Sequence, residues 1–333
     1  MLKLRRPAAG GREHAIRIQA SADPSGALAR IGKRSVMPIY QKCVQHLRRL
    51  EPRGWYPLTC ALSRVLPSFR TYRAFMDTGD HLWVDLSERM CFGYFAHGGL
   101  AHELGSVALL KVLIKDGDCV ADVGANIGYF SRQMSKLVGP SGCVIAFEPL
   151  PKALRLLELN TSDLSNVRVC KAALSNDVGI RTFYSREAGD TSSFAPGSGE
   201  VITVPCTTLD AIVGSREVDF IKIDVEGYEL EVLQGARAVI ERETPFIYFE
   251  HLPSTEHERG VTIADFRSVL PGYEIVAWNQ LRGGPATGPE VSSCYYLAYP
   301  GSNVSGRRSG AISRGQLARC LQLGSSEPVR GNV

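Results

Sequence analysis

Apolar residues along the middle of this chain follow two alternating rhythms. A short apolar run from Cys119 to Val123, broken only by Asp122, leads directly into Gly124-Ala125-Asn126-Ile127-Gly128. After the second glycine the spacing turns helical, with Ile127, Phe130, Met134, Leu137 and Val138 recurring at three- and four-residue steps. The pattern predicts a buried strand, a glycine turn and a helix whose N-terminus faces the turn. Such a junction offers free backbone N–H groups and close backbone approach to a ligand. Strand and helix then alternate, the signature of a parallel α/β sheet. The predicted elements are strand Cys143 to Phe147, helix Pro151 to Leu159, strand Val167 to Cys170 and strand Val218 to Val225. Helix Tyr228 to Glu241, strand Phe246 to Phe249 and helix Ile263 to Leu270 behind a Thr262 cap complete the series.

Other segments depart from this rhythm. Phe75 to Leu86 reads as a hairpin turning at Asp77-Thr78-Gly79-Asp80, and Leu100 to Ile114 as a helix. Ile180 to Tyr184 and Val201 to Val204 read as two extra strands, joined by a Gly/Ser-rich loop, Gly189 to Gly199, long enough for a lid or rim. Tyr273 to Trp278 and Ser293 to Tyr299 read as an antiparallel pair closing the sheet, and residues 51–74 show no clear period.

Composition changes the picture mainly at the ends. The chain has 333 residues, 44% of them apolar, enough for a sizeable core, and no apolar run long enough for a membrane helix. Its formal charge is +4, but residues 1–53 hold twelve Lys/Arg against three acids, so the remainder is slightly acidic. A basic arm of this kind can meet nucleic acid, anionic lipid or an acidic partner, and it has the composition of an organelle transit peptide. The plainer expectation is a solvated extension: residues 1–34 without order, a short basic helix within Val36 to Leu50, and a loosely ordered Gly/Ser/Arg tail after Gly301. Three segments follow: an extension over 1–74, a domain over 75–300 and a tail over 301–333. The nine cysteines are scattered, with no Cys-x-x-Cys pair, and Cys119, Cys143 and Cys170 sit in apolar runs as small hydrophobes. That usage fits a reducing compartment, and the N-terminus lacks the apolar stretch of a signal peptide, so a cytoplasmic location is expected. The sequons at Asn160 and Asn303 are read as chance, and oligomeric state has no signature.

Polar residues gather at the C-terminal ends of the predicted strands, where open α/β sheets bind ligands. They are Asp122 with the glycine turn, Glu148, Asp224 with Glu226, and Glu250 with His251. Any one of these acids alone also serves as a helix cap. Glu148 lies 24 residues after Gly124, the distance at which an acid accepts the hydroxyls of a ribose. A dinucleotide site needs Gly-x-Gly-x-x-Gly, whereas Gly124 and Gly128 are separated by Ala-Asn-Ile with no central glycine. Asp122 and Asn126 suit a zwitterionic amino-acid moiety better than a pyrophosphate. S-adenosylmethionine (SAM) has such a moiety, a ribose and no phosphate.

Four blocks, Asp122-Val-Gly-Ala-Asn-Ile-Gly-Tyr-Phe-Ser131, Phe147-Glu148-Pro149, Thr208-Leu209-Asp210 and Ile221-Lys-Ile-Asp224-Val-Glu226-Gly-Tyr-Glu229, resemble the FkbM-type SAM-dependent methyltransferases. The resemblance covers roughly Phe75 to Tyr299 and leaves out both ends. It implies a Rossmann-like class I methyltransferase fold, α/β with a seven-stranded mostly parallel sheet and a reversed last strand, here with an inserted β-hairpin. It also implies O-methylation of a hydroxyl on a small molecule or glycan. By this resemblance Asp122, Gly124, Ala125, Asn126, Gly128, Glu148 and Pro149 would hold SAM, with Ala173 near the adenine.

For methyl transfer the acceptor hydroxyl must be aligned and its proton removed or tolerated. Asp224, Glu226 and His251 are expected to surround it, with His251 as the base because its free pKa is about 6.5. Asp224 and Glu226 could instead cap the next helix, and Asp224, Glu226 and Glu250 could make an oxygen-rich divalent-cation site; no metal is assigned. Lys222 is expected to point into the other face of the sheet as a structural residue. The alternatives are a nucleic-acid methyltransferase, a SAM-binding protein without turnover and, weakest, a dehydrogenase. The first is motivated by the basic arm, but the chain lacks the Asn/Asp-Pro-Pro-Tyr block that amino-directed enzymes use.

Overall fold

The structure, a computed structural model, describes residues 41, 43–44, 55–76, 78–100, 103–185, 192–193, 201–252, 258–280 and 295–301. Helices α1 (Trp55–Val65) and α2 (Pro67–Arg70) lead into the hairpin β1 (Thr71–Phe75) and β2 (His81–Asp85), and α3 (Arg89–His97) and α4 (Leu104–Leu113) follow. Next come β3 (Cys119–Val123), α5 (Tyr129–Val138), β4 (Cys143–Phe147), α6 (Pro151–Thr161) and β5 (Val167–Cys170). Four strands then form a separate small sheet: β6 (Ala173–Leu174), β7 (Gly179–Ser185), β8 (Ser192–Ser193) and β9 (Val201–Thr207). The chain ends its described part with α7 (Leu209–Val213), β10 (Phe220–Ile223), α8 (Glu229–Gln234), α9 (Arg237–Glu243), β11 (Phe246–Glu250), α10 (Ile263–Val269), β12 (Tyr273–Trp278) and β13 (Tyr295–Pro300).

The main sheet has the order β12-β13-β11-β10-β3-β4-β5. Strands β3, β4, β5, β10 and β11 pair in parallel, and β13 runs antiparallel to both of its neighbours. This is the seven-stranded class I methyltransferase arrangement with a reversed last strand. One detail differs from the expected edge pair: β13 lies between β11 and β12, so the reversed strand is inside the sheet. The direction of strand addition switches between β3 and β10. A crevice therefore opens at their C-terminal ends, where Asp122 and Asp224 stand.

Both faces of the sheet are buried. Ala121, Val123, Ile221, Ile223, Ile247 and Phe249 pack on one side against Val232, Leu233, Val239 and Ile240 of α8 and α9. Val120, Phe220, Phe246 and Tyr248 pack on the other against Leu109 and Leu113 of α4 and Met134 and Val138 of α5. Each fully buried large apolar side chain here contributes roughly 1.5–3 kcal/mol. Asp122 and Lys222 interrupt this second face.

Several differences from the expected elements have local causes. Residues 51–74 hold α1 and α2, which the apolar pattern hides because α1 buries Thr59 and Ser63 while exposing Leu58 and Val65. The hairpin starts at Thr71, inside the expected extension, because β1 pairs with β2 along its whole length. The single helix expected over Tyr228 to Glu241 divides into α8 and α9 at Gly235. There the chain passes so close to Ser175 that a Cβ would sit 1.9 Å from its carbonyl oxygen. The extra strands Ile180 to Tyr184 and Val201 to Val204 pair antiparallel as β7 and β9 and cover Phe183, Val204 and Cys206.

Cys119 and Cys143 are corrected from small hydrophobes to a disulfide: they are register partners on adjacent parallel strands with Cα atoms 4.5 Å apart. Closing this loop constrains the unfolded chain by about 3 kcal/mol in the chain-entropy account, and cysteine usage no longer supports a reducing compartment. Residues 1–34, most of Val36 to Leu50, most of the Gly189 to Gly199 loop and the tail after Gly301 lie outside the described residues. Among the described residues no helix is long and apolar enough to cross a membrane.

Candidate active site

A cavity of about 480 Å³ opens at the switch point of the sheet. Gly124, Ala125, Asn126, Glu148, Pro149 and Ala173 border one part of it, and Lys222, Asp224, Glu226, Glu250 and Tyr295 border another.

The turn end is built largely from backbone hydrogen bonds. The Gly124 and Ala125 N–H groups donate to the Phe147 carbonyl at 3.1 and 2.9 Å, fastening the end of β3 to the end of β4. Gly124 has a φ of +76°, and a Cβ there would lie 1.8 Å from the Asp224 carbonyl oxygen. The missing Cβ therefore lets the β3 and β10 ends close on each other. Asn126 adopts the left-handed φ of 50° and donates its N–H to Glu148 Oε2 at 2.9 Å, while Leu150 N–H donates to Oε1 at 2.9 Å. Glu148 is buried, and burial pushes its carboxyl up to about 7 against these two donors.

Asp122 and Gly128 stand behind this wall. Asp122 is fully buried; Ser131 Oγ donates to its Oδ2 at 2.5 Å, and Lys222 Nζ lies 3.8 Å from its Oδ1. Burial pushes the Asp122 carboxyl up, with Lys222 and Ser131 opposing. Gly128 lies against Leu157 of α6. Neither residue borders the cavity, so the contact with the cofactor expected of Asp122, directly or through water, would have to cross this wall.

The acidic end hangs on one lysine. Lys222 and Asp122 are register partners on β10 and β3, so their side chains leave the same face side by side. Lys222 does share that face with the helices, as expected, but its ammonium reaches the cavity. It lies 3.1 Å from Asp224 Oδ2 and 4.9 Å from the Phe130 ring centroid. Burial alone would lower its pKa, but Asp224 and Asp122 outweigh that and hold it charged. Tyr295 from the reversed strand also donates to Asp224 Oδ2, at 3.0 Å. Glu226 has a left-handed φ of 56°, a costly conformation for a residue with a side chain. Glu229 secures this loop: its buried Oε1 accepts the Val225 and Gly227 N–H groups at 3.0 and 3.1 Å, and burial pushes its carboxyl up to about 7.

Glu250 stands opposite this loop, nine-tenths buried, and its Oε2 has no hydrogen-bond partner among the described residues. Burial, with Asp224 and Glu226 nearby, holds its carboxyl well above the usual range. Glu103 completes the wall; it accepts the Tyr94 hydroxyl at 3.0 Å, and burial pushes it up to about 8.

Of the expected catalytic residues, Asp224 and Glu226 border the cavity and His251 does not. The His251 ring turns to the other face of β11, 5.0 Å from the Phe266 ring and 6.3 Å from Tyr296, because side chains alternate along the strand and Glu250 takes the cavity side. Lys222, Glu229, Glu103 and Tyr295 are the residues the sequence reading missed. Alternation along β10 places Lys222 on one face but does not reveal that β3 and Asp122 lie beside it.

Residues 122–275 match the Methyltransferase FkbM domain. Over 190 residues the chain is 25% identical to the 2-O-methyltransferase NoeI of Sinorhizobium fredii, covering 51% of this chain and 77% of NoeI. It is 31% identical over 140 residues to the hexuronic acid methyltransferase AglP of Haloferax volcanii, covering 41% of this chain and 57% of AglP. It is 30% identical over 160 residues to the 31-O-demethyl-FK506 methyltransferase FkbM of Streptomyces tacrolimicus, covering 37% of this chain and 61% of that protein. The matches to AglP and FkbM thus span less than two thirds of those proteins. The matched region runs from the end of β3 into β12, so it takes in the turn, Glu148, Asp224, Glu226 and Glu250, while Glu103 and β13 with Tyr295 lie outside it.

Proposed function

We propose that this chain is a SAM-dependent O-methyltransferase acting on a hydroxyl of a small molecule or glycan. One observation carries the reading: a single cavity is bordered by the Gly124–Asn126 turn with Glu148 and also by Asp224, Glu226 and Glu250. The named activities of NoeI, AglP and FkbM support the reaction class. The donor set supports the cofactor. The lining carries five acids, Glu103, Glu148, Asp224, Glu226 and Glu250, against the cations Arg89 and Lys222. With Lys222 engaged by Asp122 and Asp224, the described lining offers carboxyl oxygens to the sulfonium and ammonium of SAM and, beyond Arg89, no cation to the pyrophosphate of NAD.

SAM supplies a methyl group activated by a sulfonium, which departs as a neutral thioether. The chain's own residues do the rest. Each Glu148 oxygen already takes one backbone N–H and keeps a second lone pair for a ribose hydroxyl. Ala173 and Leu174 offer an apolar wall for the adenine. Asp122 works from behind as a positioning residue, holding Lys222 and Ser131 rather than touching the cofactor. Lys222 and Tyr295 hold Asp224 in place at the acceptor end of the cavity. Glu226, partly exposed like Asp224, would take the proton that the acceptor hydroxyl loses during methyl transfer. His251 has no part in this scheme.

Calorimetry with SAM and with NAD tests the cofactor: SAM should bind and NAD should not, and the reverse would overturn the proposal. Labelled SAM offered with panels of sugars, lipids and polyketide-type alcohols then identifies the acceptor class.

A further inference from the structure

We infer that Asp224, Glu226 and Glu250 bind a hard divalent cation, of the Mg²⁺, Mn²⁺ or Ca²⁺ kind, at the acceptor end of the cavity. One carboxylate oxygen from each residue lies within 4.8 Å of the other two. Oxygens on opposite sides of one ion stand about 4.0–4.2 Å apart around Mg²⁺ and about 4.6–5.2 Å around Ca²⁺. The three oxygens therefore sit at, or a small side-chain adjustment from, shared coordination.

Glu250 is the independent observation. It is nine-tenths buried in the cavity wall, and its Oε2 has no hydrogen-bond partner among the described residues. An acid in that position is costly unless something pairs with it, and no described residue does. A neutral hydroxyl would satisfy that one oxygen; a cation satisfies it together with Asp224 and Glu226.

Two further features fit. The hydrogen bonds to Asp224 from Lys222 and Tyr295 both end on Oδ2, which leaves Oδ1 for an ion. Asp122, Asp224, Glu226 and Glu250 gather around Lys222, and a divalent ion would favour the charged form of each acid it touched. Three carboxylate ligands leave positions for water and one further oxygen. The role assigned to the ion rests on the methyl-transfer reading: it would hold the acceptor oxygen at the cavity end facing the methyl group and ease loss of its proton. The binding itself rests only on the carboxylates.

The test uses the full chain, stripped with EDTA and titrated with Mn²⁺ while free Mn²⁺ is read by electron paramagnetic resonance. SAM binding is measured in parallel by calorimetry. One Mn²⁺ per chain should bind and be displaced by Mg²⁺ or Ca²⁺. Glu250→Gln and Glu226→Gln should each weaken it at least tenfold, and Glu241→Gln, an exposed acid on α9, should leave it unchanged. Circular dichroism checks each variant, and Glu226→Gln decides the matter if Glu250→Gln does not fold. No stoichiometric Mn²⁺ binding, or binding indifferent to the carboxylate substitutions, overturns the cation site. SAM binding without Mn²⁺ overturns the cation alone. Mn²⁺ binding without SAM supports the cation site and overturns the cofactor assignment.

Discussion

Two buried acidic groups in this fold have opposite fates. Asp80 lies beside the hairpin and accepts hydrogen bonds from Arg132 at 2.9 and 3.0 Å and from the His81 N–H at 2.8 Å, with Lys136 2.8 Å away. Arg132 spends its remaining donors on Asp163 and the Asn160 carbonyl, so two acids face two bases and every side is closed by the chain itself. At the cavity, Asp122, Asp224, Glu226 and Glu250 gather around Lys222, and Glu250 Oε2 is left over. The first cluster ties α5 to the hairpin and to the end of α6. Among the described residues the second is incomplete. Acid count does not separate a structural cluster from a functional one; whether the chain supplies the partners does.

The largest expected effect breaks the closed cluster. Asp80→Ala leaves Arg132 buried with half its partners gone, and urea unfolding should show a loss of about 3–5 kcal/mol. Its pH signature is also directional. Burial raises the Asp80 carboxyl, but hydrogen bonds from Arg132 and Lys136 outweigh this and hold it well below the carboxylate range. A depressed folded-state pKa contributes stability that is present above about pH 4 and is lost as pH falls below it. The wild type should therefore show an acid-side decline that Asp80→Ala lacks. At the open cluster, Glu226→Gln should leave stability within about 0.5 kcal/mol while turnover at saturating SAM falls about 10²- to 10⁴-fold. Unchanged turnover would remove Glu226 from the chemistry.

Only the cavity side of this contrast is visible in the sequence, and the reasons for the rest are physical. The strand, turn and helix around Gly124 and the acids at the strand ends were legible because burial on both faces leaves near-continuous apolar runs with few polar residues to explain. What was hidden depends on pairing between distant segments. The Cys119–Cys143 bond and the Lys222–Asp122 contact arise from register, which no spacing along one strand records. The packing role of Gly124 is hidden for the same reason, since its close neighbour is the Asp224 carbonyl 100 residues away. His251 was favoured for its intrinsic pKa, but strand alternation gave the cavity to Glu250. Helix α1 escaped notice because its buried stripe holds Thr59 and Ser63.

A smaller effect sharpens the comparison by reversing its sign. Asp80→Ala removes a satisfied acid, whereas Glu250→Gln replaces an acid with an unpartnered buried oxygen by a neutral group of nearly the same shape. In EDTA at about pH 8 the variant should be as stable as the wild type or more stable by up to about 2 kcal/mol. A loss above about 1 kcal/mol would show that the fold itself partners Glu250.

The smallest effect concerns two acids that stay inside the chain's own hydrogen-bond network yet lie next to the open cluster. Glu148 and Glu229 each accept two backbone N–H groups, but burial wins in both and pushes their carboxyls up to about 7. A raised folded-state pKa means that the folded chain holds protons the unfolded chain has released. Stability should then decline as pH rises from about 4.5, the unfolded value, to about 7, opposite to the Asp80 trend and at higher pH. Glu229→Gln should flatten part of that decline in urea midpoints measured from pH 4.5 to 8, because the amide cannot ionise. SAM affinity should move the other way, rising toward pH 8 as Glu148 ionises and becomes a better acceptor for ribose hydroxyls. A flat stability profile with pH-independent SAM binding would mean that both acids stay ionised across this range, and that their backbone donors outweigh burial as completely as Arg132 does for Asp80.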